Sequence, residues 1–160
     1  YSADSIHFAD SLRYYTIRQH RTVYGGGGIM PDYFVPLDTT QYTPLHRQLA
    51  AKSFIINASL RYIDSHRKEL KKKYSSFEQF KASFEVPKKV IDGIFEEAAK
   101  EKVTPKDDAE RERTLPQLRL QLKALVARDL WDMSQYFAII NESNHVVQKA
   151  ITLMTGEVAQ

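Results

Sequence analysis

Apolar positions change their period near residue 40. Before it, three short runs, Leu12-Arg13-Tyr14-Tyr15-Thr16-Ile17, Thr22-Val23-Tyr24 and Tyr33-Phe34-Val35, are rich in aromatic and β-branched residues and predict strands. Pro31 and Pro36 bracket the third run and mark strand ends, because proline cannot donate to a ladder. After residue 40 the spacing becomes helical. Leu45, Leu49, Ile56, Leu60 and Ile63 recur at that spacing, Phe54 and Ile55 widen the stripe, and Lys52 interrupts it. One long first helix is expected, running to His66 or Lys72.

Boundary residues support this reading. Thr43-Pro44 pairs an N-cap with a proline at the first helical position. Ser76 with Gln79 makes a capping box for a short helix, Phe77 to Phe84. Pro87 opens a helix whose buried face is Val90, Ile91, Ile94, Phe95 and Ala98, weakened by Gly93. Thr104-Pro105 repeats the Thr-Pro start before a charged segment. Thr114 with Gln117 forms a second capping box. It begins the strongest stripe, Leu115, Leu118, Leu122, Val126, Leu130, Met133, Phe137 and Ile140, which Trp131 and Tyr136 enlarge. This stripe reads as core, with an interaction groove as the alternative. A last helix follows Ser143-Asn144, with Val146, Val147, Ala150, Ile151 and Met154 inward and Gly156 as its stop. The fold class is therefore mainly α (α+β): a β segment over residues 1–38, then a domain of five or six helices over 39–160.

Composition narrows the function classes. The 160 residues are 42% hydrophobic and 27% charged, enough for one domain with a core. The net charge of +3 is too weak to make nucleic acid a leading partner. There is no cysteine, hence no disulfide framework or thiol nucleophile. No run approaches the ~20 apolar residues that span a bilayer, so no transmembrane segment is expected. The opening Tyr1-Ser2-Ala3-Asp4 reads as an excised fragment of a longer protein.

The sharpest local feature is Gly25-Gly26-Gly27-Gly28. On composition it reads as a flexible connection or a purification scar. It is no phosphate loop, because Ile29-Met30-Pro31 follows where Gly-Lys-Ser or Gly-Lys-Thr would enter a helix. Glycine permits positive φ and close backbone approach. Pro31 fixes φ and Asp32 can accept from nearby backbone N–H groups. Together they suit a rigid corner between strands.

Arg21 through Pro36 resembles a segment of carboxyl-terminal processing (tail-specific) serine peptidases. In that family an arginine, a hydrophobic residue and a glycine run lead into Ile-x-Pro-Asp and a strand. The carrying residues here are Arg21, Gly25, Gly26, Gly27, Gly28, Ile29, Pro31 and Asp32. His20 departs from the glycine often found before the arginine. The helical remainder resembles the C-terminal extension of envelope members of the family. The resemblance implies a parent endopeptidase of the bacterial cell envelope, periplasmic, with a Ser nucleophile and a Lys general base. It places both residues, and a PDZ-type module, ahead of this motif. No catalytic residue is carried over, and no cofactor or metal is expected. The implied partners are the rest of the parent peptidase, its protein or peptide substrates, and further copies pairing through unpaired strands. The alternative is an autonomous helical protein-interaction module with no part in proteolysis.

Other constellations are weaker. Lys52 with Ser53 or Ser59 is a conceivable dyad, yet an amphipathic helix lacks the strained turn of a nucleophile. His7, His20, His46, His66 and His145 are scattered, form no HExxH pair, and read as surface histidines. Asp107, Asp108, Glu110 and Glu112 lack the spacing of a calcium loop and read as a solvated face near a helix start. The block Lys68 to Lys73 fits a helix C-terminus for the mirror reason.

Overall fold

The computed structural model describes residues 13–18, 22–24 and 42–155. The chain divides into two units, Tyr1–Asp38 and Thr39–Gln160. In the first, β1 (Arg13–Tyr15) pairs antiparallel with β2 (Thr22–Tyr24), Tyr14 opposite Val23. The expected strand Tyr33–Val35 and the corner residues Arg21, Gly25–Gly28, Ile29, Pro31 and Asp32 lie outside the described residues.

The second unit is helical. α1 (Pro44–Ala51) starts as its sequence predicts, with the Thr43 hydroxyl accepting from the His46 N–H at 3.2 Å. The expected single long helix is in fact two. Ser53 adopts a left-handed φ of 64°, and α2 (Phe54–Lys73) begins immediately after it. The interruption resets the helical phase. Phe54, Ile55, Ala58, Ile63 and Leu70 turn inward, whereas Ile56 and Leu60, expected in the stripe, are exposed. Lys71, Lys72 and Lys73 occupy the last turn of α2, where cations favour the exposed carbonyls.

α3 (Phe77–Ser83) is capped by Ser76, which accepts from the Gln79 N–H. The reciprocal bond of the box goes one residue upstream, from the Ser75 N–H to Gln79 Oε1. α4 (Lys88–Lys100) follows Pro87 and ends in a Schellman turn. Lys102 takes a left-handed φ of 59°, and the N–H groups of Lys102 and Val103 donate to Ala99 and Ala98. Val103 is buried behind that turn, the apolar contact such an ending favours.

α5 (Asp108–Leu130) begins six residues before the expected cap at Thr114. Asp107 is the N-cap, its carboxylate accepting from the Glu110 N–H at 2.7 Å. Thr114 lies inside the helix, and its hydroxyl donates back to the Glu110 carbonyl at 2.7 Å. Pro116 becomes a mid-helix proline, which leaves the Glu112 carbonyl without its i+4 donor. The apolar stripe through Ile140 is likewise two helices. Trp131 leaves helical geometry, and Asp132 caps α6 (Met133–Ile140) through the Ser134 N–H. Met133 and Phe137 therefore face outward, while Ile139 is buried. A 3-10 turn (Asn141–Ser143) leads to α7 (His145–Thr155), and Asn144 Oδ1 accepts from the Val146 N–H. The face expected to point inward does not. Val146, Ile151 and Met154 are exposed, and no residue of α7 is buried.

Two apolar clusters share α5. Leu118, Leu122 and Leu125 pack with Leu45, Leu49, Phe54, Ile55, Ile91 and Ile94. Ala124, Val126, Ala127 and Leu130 pack with Ile63, Leu70, Tyr74, Phe80, Phe84 and Ile139. Phe80 is at the heart of the second, stacked on Phe84 at 4.4 Å and edge-on to Tyr74 and Trp131. Aromatic pairs in these arrangements add about 0.5–1.5 kcal/mol each beyond the area they bury. The outcome is a mainly α protein, with seven α-helices among the described residues.

Candidate functional site

Lys52 pairs with neither Ser53 nor Ser59 among the described residues. Lys52 Nζ is held by Glu101 at 2.9 Å. The Ser59 hydroxyl is buried and donates to the Ile56 carbonyl at 2.8 Å. Ser53 supplies the turn between two helices. Lys52 and Ser59 are thus engaged elsewhere, and no bond joins Lys52 to Ser53 among the described residues. His66 stacks on Tyr62 at 4.5 Å, and His145 starts α7. His7 and His20 lie outside the described residues. No group of three or more His, Cys, Asp or Glu side chains among the described residues could hold a metal ion.

The acidic segment departs from the solvated face expected of it. Glu110 is 8% exposed. One oxygen accepts from the Leu45 N–H at 3.2 Å and the other from the Lys106 N–H at 2.7 Å. Beside it, the hydroxyls of Thr43 and Thr114 are 2.5 Å apart. Glu110 thereby serves the start of α1 from α5, satisfying a first-turn donor that α1 cannot satisfy itself. Its two oxygens are spent on backbone, which makes this a structural join.

A groove of about 460 Å³ lies between the Phe84–Pro87 link and α5. Phe84, Val86, Pro116 and Leu120 supply apolar surface, and Lys88, Arg119 and Lys123 supply cations against one carboxylate, Glu85. Pro116, Arg119, Leu120 and Lys123 follow one another at i, i+3, i+4 and i+7, so one face of α5 forms a whole wall. Lys123 Nζ donates to the Lys81 carbonyl at 2.6 Å. Burial pushes its pKa down, with Glu142 and Glu85 pulling it back up and Lys81 pushing it further down. Lys88 and Arg119 make no ion pair or hydrogen bond among the described residues. The link itself is extended, with ψ of 127° at Phe84 and 136° at Pro87. No partner is found among the described residues for the backbone N–H groups of Glu85 and Val86.

A second pocket of about 340 Å³ lies where α1 meets α5 and α6, lined by Tyr42, His46, Arg47, Gln117, Gln121 and Tyr136, among others. His46, expected on the surface, is 4% exposed. Burial lowers its pKa, and the Gln121 side chain opposes that shift. Neither His46 Nε2 nor Gln121 Oε1, however, reaches a hydrogen bond of normal geometry. Tyr42 lies over the imidazole at 4.9 Å.

Neither feature follows from the apolar stripe of α5, because the groove uses the adjoining face. The available signal was the spacing of Pro116, Arg119, Leu120 and Lys123, together with the unhelical Glu85-Val86-Pro87 ahead of Lys88.

Residues 45–132, more than half of the chain, match the model of a family of unknown function, DUF8443. The chain belongs to this family. No curated protein and no solved structure matches it. The DUF8443 segment opens at Leu45, behind the cap of α1, and closes at Asp132, the cap of α6. It contains every residue of the cationic groove. The His46 pocket borrows Tyr42, Tyr136 and Ile140 from outside the DUF8443 segment, and α7 is wholly outside it.

Proposed function

We propose that this chain is the C-terminal portion of a carboxyl-terminal processing serine peptidase of the bacterial envelope. In this reading Tyr1–Asp38 belongs to the peptidase sheet, and the DUF8443 helices form a non-catalytic body that docks substrate or partner. The observation that carries the reading is the run Arg21 to Pro36, with its four glycines and Ile29-Met30-Pro31-Asp32. The helical body is compatible with it. Lys52 and Ser59 are held by other partners and Lys52 makes no bond to Ser53, and in this reading the chemistry belongs to a Ser and Lys in the portion of the parent that precedes Arg21. The rival reading, a self-sufficient interaction module, draws on the exposed apolar side of α7.

The test uses the gene containing this chain, with whatever sequence precedes it, expressed in full and also cut before Thr43. The full protein should cleave a peptide with a free C-terminus, and replacing its nucleophilic serine should abolish that activity. The present chain should show none. Removing the helices should change which substrates are cut. Hydrolysis by this chain unaided, or a full protein without serine-dependent cleavage, would sink the proposal. Unchanged cleavage with loss of a bound partner would favour the interaction module.

A further inference from the structure

We infer that the groove between the Phe84–Pro87 link and α5 binds the free C-terminal end of an extended polypeptide. Three independent features converge on that ligand. The first is the wall: Phe84, Val86, Pro116 and Leu120 offer apolar surface to side chains. Secondly, the edge is an extended stretch whose Glu85 and Val86 N–H groups are unpaired among the described residues, and since successive N–H groups of an extended chain point to opposite sides, one of them can bond an added strand lying in the groove. Finally, Lys88 and Arg119 are cations without partners among the described residues, and Lys123 stands with them. An arginine guanidinium and lysine ammonium groups are suited to holding a carboxylate.

Charge complementarity selects the ligand. Three cations against Glu85 leave the groove with a surplus of two positive charges by formal count. A neutral stretch of chain leaves that surplus unanswered. A chain end brings one carboxylate together with backbone that can continue along the Glu85–Val86 edge. The volume, about 460 Å³, falls within the ~300–1,000 Å³ range of ordinary ligand sites. An acidic side chain within a longer peptide offers the same carboxylate without the chain terminus, and the experiment separates the two. The identity of the natural tail rests on the peptidase reading, in which it is the substrate's. The binding itself does not depend on that reading.

The probe is a short fluorescein-labelled peptide of alanine, valine and leucine with a free C-terminus, followed by fluorescence anisotropy on the purified chain. Two companions are the same peptide as its C-terminal amide, and an amidated peptide with an internal glutamate. Saturable binding of the free-acid peptide is expected, weakened about tenfold or more by amidation. Arg119→Glu and Lys88→Glu should each weaken it comparably. Both sites are exposed, so circular dichroism should show an unchanged fold. Replacing the probe's backbone amides by esters should also weaken it, since an ester carbonyl is a poorer acceptor for an unpaired N–H of the link. Equal binding of either amidated peptide overturns the terminus assignment. Absence of saturable binding, or charge reversals without effect on a folded protein, overturns the site. Because no cleavage is read, an inactive parent enzyme leaves this result standing, and an active parent does not rescue a chain that fails to bind.

Discussion

His46 shows how one buried side chain ties the helical unit to pH. It projects from α1 toward Gln121 on α5, and burial holds its pKa below the ordinary histidine value while Gln121 pulls weakly the other way. The groups around it do not welcome a proton. Its pocket is lined by Arg47, two tyrosines and two glutamines, with no carboxylate. The unfolded chain leaves the imidazole near its ordinary pKa of about 6.5. Between that value and the lower folded one, the unfolded state binds more protons, so stability is present above about pH 6.5 and drains away as pH falls through the folded pKa. Thermal melts at about pH 7.5 and 5 should therefore show a drop in Tm that His46→Gln reduces. A variant whose Tm falls as steeply as the wild type would remove His46 from this role. Glu110 is the counterpart at the same join. Two residues that sequence reasoning assigned to solvent prove to be buried, because a charged or titratable side chain can be claimed by the backbone of another element. Pattern along one strip of chain does not register a partner 65 residues away, such as the Leu45 N–H that Glu110 accepts.

At the scale of elements, starts were legible where cap and helix are adjacent. Thr43-Pro44, Ser76 and Asn144 each bond the first turn as their chemistry predicts. The breaks were not legible. Ser53 and Lys102 both take left-handed backbone without being glycine, a conformation that costs an L-residue roughly 1–2 kcal/mol and is recovered through packing of the flanking helices. Two caps competed for α5. Thr114 with Gln117 is a complete box in sequence, yet Asp107 wins, since starting there adds about two turns and lets Glu110 reach α1. The stripe through Met133 and Phe137 overran Trp131 because a periodic sequence does not reveal where the chain turns. Gly93 lies inside α4 without breaking it, and the structure makes its expected weakening of the helix testable. A methyl group built at Gly93 meets nothing within 4 Å. Gly93→Ala should thus recover helix propensity without strain, a gain of about 0.5–1 kcal/mol. Urea denaturation gives the number directly, as a rise in midpoint at unchanged slope. A loss of stability would mean that the helix needs the freedom of glycine at that turn. The groove is a comparable case of information present but unread, because its cations sit on a helix face that only tertiary packing turns toward the Phe84–Pro87 link.

For the molecule as a whole, α7 separates what folds the helical unit from what it displays. Val146, Val147, Ala150, Ile151, Leu153 and Met154 share one side of the helix, and His145, Gln148, Lys149, Thr152 and Thr155 share the other. Such segregation ordinarily seats a helix on a core. Yet none of the eleven residues is buried, and Met154 is 87% exposed. The two core clusters end at Ile139 and its neighbours in α6, without contribution from α7. Its apolar side therefore contributes little burial to the folding of this unit, and at roughly 25 cal/mol per Å² little burial means little stability. A chain ending after Asn144 should melt within about 3 °C of the full one, and should bind less of a hydrophobic dye because an exposed apolar patch has gone. The same deletion applied to α6 should unfold the second cluster, since Ile139 is 1% exposed and emptying a site of that kind costs about 2–5 kcal/mol. The contrast between the two deletions is the decisive readout. If loss of α7 lowers Tm as much as loss of α6, then α7 packs on this body in solution and its outward side is part of the fold. If it does not, the helix is held in reserve at the end of the DUF8443 core, with its stabilising contacts still to be made.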